Sequence, residues 1–171
     1  MRIEKLRTNF NVQIEWVHFP LHPETPAEGI PLEKLFAGSS AAERAERQKR
    51  MQGLMDAEGL PYGERTHTYN SRLAQELGKW AETLPGGAMP LHEALFKAYF
   101  VQGKNIGDLD TLVEIAASVG LPAGDARQVL ESRAFSKAID ADWSNSRRVG
   151  VTGVPTFAAE GYGVVGAQPY E

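Results

Sequence analysis

Gly150-Val151-Thr152-Gly153-Val154-Pro155-Thr156-Phe157 is the stretch on which the fold turns. A helical pattern runs out at Gly150, an apolar strand pattern opens at Thr156, and a proline stands between them. Proline cannot donate to a ladder, so its roles immediately ahead of a strand are few. A Val-Pro bond at such a junction is a natural site for a cis peptide, which relieves the usual restriction on the preceding residue. Downstream, Thr156-Phe157-Ala158-Ala159 and Gly163-Val164-Val165 flank Glu160-Gly161-Tyr162. A glycine in a short turn between apolar runs predicts a β-hairpin.

Working back from Gly150, the chain carries only helical signals as far as Pro31. A helix is predicted from Phe135 to Arg148 and another from near Asp125. A third starts at Asp108 or Asp110, either of which can cap it; its stripe is Leu109, Leu112, Val113, Ala116 and Val119, and Gly120 is placed to stop it. Others run from Pro90 to about Gln102, with the proline suited to a first turn, and from Asn70 or Ser71 to just before Pro85. Ser40 opens a run with Glu43 three residues on, a capping box, and the helix stops near Gly59. Glu43–Arg47 and Glu46–Arg50 have the spacing of stabilising pairs on that helix.

The N-terminal end reads differently. Met1 to Thr8 has the pattern of a helix end, and Asn9-Phe10-Asn11 of a turn. Val12 to Phe19 alternates, with Val12, Ile14, Trp16 and His18 on one face, which predicts a strand. Pro20-Leu21-His22-Pro23-Glu24-Thr25-Pro26 is an extended connector, because each proline restricts the residue before it. Gln168-Pro169-Tyr170-Glu171 has the pattern of a helix start. The order of strand, helical block and hairpin gives an α/β architecture. Residues 1–30 and 150–171 form one portion, and 31–149 are a helical insertion.

Composition bounds the rest. The chain has 171 residues, 42% hydrophobic and 23% charged, enough to bury a core. Net charge is −4, which disfavours a nucleic-acid partner. No apolar run is long enough to span a bilayer, and Met1–Arg7 lacks an apolar signal core, so a cytoplasmic location is expected. There is no cysteine, which rules out a disulfide, a cysteine zinc site and a cysteine nucleophile within these residues.

The segment from Gly150 to Phe157, followed by Gly166-Ala167-Gln168-Pro169, resembles the DsbA-like branch of the thioredoxin superfamily, of the FrnE and 2-hydroxychromene-2-carboxylate isomerase type. Ile14 to Pro26 is similar to the text that follows the first helix in that group. Asn70 to Ala74, Leu95 to Phe100 and Asn105 to Asp108 also match, so the resemblance covers nearly the whole chain. It implies a thioredoxin-like sheet with a large helical insertion, and disulfide oxidation, reduction or isomerisation through a Cys-x-x-Cys pair. It implies that Thr152, Gly153, Val154 and Pro155 form the substrate-binding edge, where backbone pairs with an extended peptide or thiol substrate.

The family's Cys-x-x-Cys sits at a helix N-terminus that lowers the thiol pKa. Here the pattern begins late, so the first strand and that turn are expected upstream of Met1, and the last helix is expected to be cut short after Glu171. No catalytic residue is assigned within the chain. Loss of the first strand would leave its neighbours' backbone unpaired, to be covered by another chain, by pairing of Val12–Phe19 with the hairpin, or by homo-oligomerisation through exposed edges. The resemblance leaves two alternatives. One is a glutathione-dependent isomerase, for which glutathione would be the cofactor; the other is a non-catalytic peptide-binding module. Otherwise no cofactor is expected. His18 and His22 are four apart, but Pro20 between them argues against a metal pair. His67 and His92 are isolated, and Trp16, Trp80 and Trp143 are read as packing residues.

Overall fold

The computed structural model describes residues 2–169, and side chains from Lys5 onward. It is a mixed α/β molecule. Among the described residues there are eight helices, α1 (Arg2–Asn9), α2 (Leu32–Leu35), α3 (Ala41–Ala57), α4 (Arg72–Ala81), α5 (Ala88–Phe100), α6 (Leu109–Ser118), α7 (Ala123–Ser132) and α8 (Ser136–Arg148). The strands are β1 (Ile30–Pro31) with β2 (His67–Thr68), and β3 (Thr156–Ala159) with β4 (Tyr162–Val165), each pair antiparallel. The chain divides into two compact units, Met1–Leu21 with Ile139–Glu171, and His22–Ala138. They are called unit 1 and unit 2 below. No helix is long and apolar enough to cross a membrane among the described residues.

Unit 2 holds the core. On α4, Ala74, Leu77, Trp80 and Ala81 recur at helical spacing and are buried, against Leu91 and Ala98 of α5, Leu112, Ile115 and Ala116 of α6, and Ala126 and Leu130 of α7. Burying each large side chain stabilises by roughly 1.5–3 kcal/mol. The ends of α6 follow from its sequence. Asp108 accepts a hydrogen bond from the Thr111 N–H at 2.8 Å, which places its carboxyl below the ordinary range, and Gly120 takes φ 80° beyond the last turn. The helix end after α7 is unusual: Arg133 adopts a left-handed conformation, φ 54°, and its guanidinium is spent on Glu76.

Two asparagines fasten the proline-rich connector to this unit. The Asn70 amide donates to the carbonyls of Thr25 (2.7 Å) and Pro23 (3.3 Å), while its Oδ1 accepts from the Arg72 N–H at 2.9 Å. Asn105 repeats the device, donating to the Ala27 carbonyl at 3.0 Å and accepting from the Gly107 N–H at 2.8 Å. Each asparagine thus closes its own local turn and holds a backbone that has no ladder partner. Asn70→Ala is expected to destabilise unit 2 by about 2 kcal/mol, since several net hydrogen bonds vanish together. Urea unfolding of the variant should show the lower midpoint at unchanged slope.

The structure corrects several expectations. Residues 31–150 are not purely helical: Ile30 pairs with Thr68 and Pro31 with His67. Two-residue strands carry no readable period, and Pro31 sits at an edge where its missing donor is harmless. On α3 the capping box forms as expected, with Ser40 Oγ accepting from the Glu43 N–H and Glu43 Oε2 accepting from the Ser40 N–H. Neither Glu–Arg pair closes to ion-pair distance, although, after the hydrogen bonds from Ser40, the Arg47 charge still helps to lower the Glu43 pKa. Glu43 is engaged at the cap, and the Arg47 guanidinium lies 4.5 Å above the Phe36 ring.

In unit 1, Val12–Phe19 forms no ladder with any described residue and is not a strand. The alternation is real, but alternation alone does not make a ladder, and the His18 N–H is given to the Asp142 carboxylate instead. The hairpin forms with a shorter turn than expected. Tyr162 belongs to β4, and only Glu160 and Gly161 turn, at φ 51° and 85°, the two positive values a tight hairpin of this hand demands. Gln168 and Pro169 are not helical, and Tyr170 and Glu171, where a helix start was expected to continue, lie outside the described residues.

Candidate functional site

The segment expected to face substrate leaves the end of α8. Helix bonding there closes with the Val151 N–H donating to the Ser146 carbonyl at 2.9 Å, and the chain then runs out through Thr152 to Pro155. The Val154–Pro155 peptide bond is cis. Two local bonds set the loop against the hairpin. Thr156 Oγ1 donates to the Gly153 carbonyl at 2.7 Å, and the Gly166 N–H donates to the Pro155 carbonyl at 2.7 Å. Thr152, Val154 and Pro155 are exposed and Gly153 is half-buried. The structure thus gathers the four predicted residues into one largely exposed, bent segment that leads into β3.

The backbone of this turn is used unevenly. The carbonyls of Gly153 and Pro155 accept from protein donors, whereas Thr152 and Val154 make no hydrogen bond to any described residue. Open N–H and C=O groups on exposed backbone can receive an incoming strand. No acid, base or thiol is needed for that kind of recognition.

Sequence reasoning missed one polar constellation in this unit. His18 Nδ1 lies 3.0 Å from Asp142 Oδ2, and the His18 backbone N–H donates to the same oxygen at 3.1 Å. Ser146, one turn along α8, donates from Oγ to the Asp142 carbonyl at 2.9 Å and approaches the His18 carbonyl at 3.4 Å. The group fastens residues near His18 to the helix that leads into the Thr152–Pro155 turn. Nothing local in the sequence announces it, because its partners stand 124 residues apart.

The other singled-out residues go elsewhere. His22 Nδ1 is 3.7 Å from Glu24 Oε1, His67 stacks on Tyr69 with centroids 5.8 Å apart, and Trp80 is in the core. No cluster of three histidine, aspartate or glutamate side chains suited to a metal ion occurs among the described residues.

Comparison with known proteins assigns the chain to a family. The whole chain, residues 1–171, matches the family described as a DSBA-like thioredoxin domain. It is similar to the uncharacterized protein YwbO of Bacillus subtilis (strain 168), with 27% identity over 154 residues, covering 86% of this chain and 72% of that protein. Among solved structures it is similar to a probable DsbA oxidoreductase, SCO1869, from Streptomyces coelicolor. The TM-score is 0.88 and the identity 28%, covering 99% of this chain and 77% of that one. It also shares the fold of a putative protein disulfide isomerase from Nitrosomonas europaea, at TM-score 0.62 and 17% identity, covering 77% of this chain and 70% of that one.

Proposed function

Because the chain belongs to the DsbA-like thioredoxin domain family, we propose that it serves thiol–disulfide oxidoreduction by holding the substrate, through strand addition at Thr152–Pro155. The observation that carries this reading is the pair of open backbone positions, Thr152 and Val154, at the exposed lead-in to β3. An extended peptide or a thiol-bearing segment pairs there by main-chain hydrogen bonds, with side-chain specificity at alternate positions. The thiols of the exchange come from outside these 171 residues, none of which is cysteine. The chain by itself therefore binds and does not turn over.

The test separates the two. A fluorescent, unstructured peptide with carboxamidomethylated cysteines should raise its anisotropy on titration with the chain. The same peptide N-methylated at alternate residues should bind at least about tenfold more weakly, a loss of about 1.4 kcal/mol or more. Equal binding of the two peptides would overturn strand addition as the mode. Insulin reduction with dithiothreitol should proceed at its background rate with the chain present.

A further inference from the structure

Unit 2 holds a guanidinium in place without neutralising it. The Arg65 Cζ lies 4.5 Å from the centroid of the Tyr99 ring and 4.8 Å from that of Phe100. The two rings meet edge to face, with centroids 4.7 Å apart and planes at 69°, so the cation is held by both. Attraction to ring faces suits a cation that has lost part of its water. Among the described residues nothing accepts a hydrogen bond from this side chain, and no carboxylate pairs with it. Its Nε is buried without an acceptor, while Nη1 and Nη2 are not closed off in the same way. Glu64, next in the chain, is exposed and makes no ion pair with it.

The position is built, because the chain is pinned on both sides of Arg65. The Gly63 N–H donates to the Phe100 carbonyl at 2.9 Å, and a Cβ at Gly63 would collide with the Val101 carbonyl. On the other side the Thr66 carbonyl accepts from the Leu32 N–H at 2.8 Å, and Thr68 pairs with Ile30. Nor does Arg65 cap α5. At the end of that helix the carbonyls of Lys97, Ala98 and Phe100 already accept from the N–H groups of Gln102, Lys104 and Gly63. A half-buried cation with no counter-charge carries a desolvation cost that an incoming anion offsets.

We propose that Arg65 receives the carboxylate of an organic acid whose aromatic or apolar body rests on Phe96. With Nε against the protein, Nη1 and Nη2 are the donors left for a ligand, and two carboxylate oxygens match such a pair. Phe96 stands one turn before Phe100 on α5, with ring centroids 4.6 Å apart, and is 36% exposed. It therefore offers apolar contact beside the charge. A free acid and the C-terminus of a peptide share this chemistry. The site lies wholly in unit 2 and does not rest on the strand-addition reading.

Proton–nitrogen NMR of the whole chain tests it, read at the Arg65 Nε–H and the Gly63 amide. Phenylacetate should move both resonances to saturation at millimolar concentration, as its ten heavy atoms allow at about 0.3 kcal/mol each. Phenylacetamide has the body without the charge, and inorganic phosphate the charge without the body. Each should bind at least about fivefold more weakly. N-acetylphenylalanine binding more tightly than phenylacetate assigns the site to a peptide C-terminus; equal or weaker binding assigns it to a free acid. Arg65→Lys keeps the charge and loses the planar fork, and should weaken phenylacetate by about fivefold or more. Phe96→Ala, at an exposed position, should weaken it too with the rest of the spectrum unchanged, and decides the matter if Arg65→Lys fails to fold. No saturable shift up to about 50 mM would overturn the proposal. So would equal binding of phenylacetamide or phosphate, or binding indifferent to both substitutions.

Discussion

Glu76→Ala is expected to destabilise unit 2 by roughly 3–5 kcal/mol, because it breaks a buried charge cluster by removing one partner. The Glu76 side chain is wholly buried on α4. Arg133 grips it with two donors, Nε to Oε2 at 2.8 Å and Nη2 to Oε1 at 2.6 Å. Arg72 adds Nε to Oε1 at 2.7 Å and reaches on to the Ser136 carbonyl at 2.7 Å. One carboxylate thereby ties α4 to the end of α7 and the start of α8. It also holds Arg133 in a left-handed backbone conformation that a non-glycine residue adopts at some expense. Arg133 is half exposed and recovers part of its hydration when freed, so the lower end of the range is the better expectation. Glu76→Gln keeps the shape and loses the charge, and should fall between the variant and the parent.

The same cluster gives stability a dependence on pH. Burial pushes the Glu76 carboxyl up, but the hydrogen bonds from Arg133 and Arg72, with their charges, outweigh it and hold the pKa below the usual 4.5. A depressed folded-state pKa contributes stability that is complete above the unfolded value and lost as pH falls through the folded one. The urea midpoint should therefore drop as pH is lowered below about 4.3, the unfolded glutamate value. Asp108, held low by its cap bond to Thr111, adds to the drop in the same direction. In Glu76→Gln the Glu76 share of this slope is absent. A variant with the parent's full acid slope would show that the cluster does not bear on folding.

Glu76 also marks where sequence reading stops. α6 was legible from end to end, since its cap, its stripe and its terminating glycine all lie within a dozen residues. The Thr152–Pro155 turn was legible too, because a proline ahead of a strand has so few uses. Glu76 and Arg133 are 57 residues apart and His18 and Asp142 are 124 apart, so neither pairing leaves a local trace. Asn70 and Asn105 were visible as parts of matching segments, but their grip on the connector was not. Val12–Phe19 is the instructive error. Alternation states which faces a segment would offer as a strand; it does not state that a neighbour is present to receive its hydrogen bonds. The turn that presents Thr152 and Val154 was thus foreseeable as a place, while the His18–Asp142 fastening was not.

Leu77→Ala is expected to cost about 3–5 kcal/mol, the range for a leucine removed from a core that cannot collapse around the gap. Leu77 has no exposed surface and sits on α4 within the cluster that α5, α6 and α7 share. Val164→Ala should cost less than about 0.5 kcal/mol, because a half-exposed side chain on an exposed hairpin has little packing to lose. Conservative truncations of the same kind thus separate the units by several kcal/mol. Urea unfolding read by far-UV ellipticity, which the helices of unit 2 dominate, should show the first change as a large fall in midpoint. The second should leave the midpoint in place. A large effect of Val164→Ala would mean that the hairpin is packed, and the contrast between a cored unit and an open one would fall.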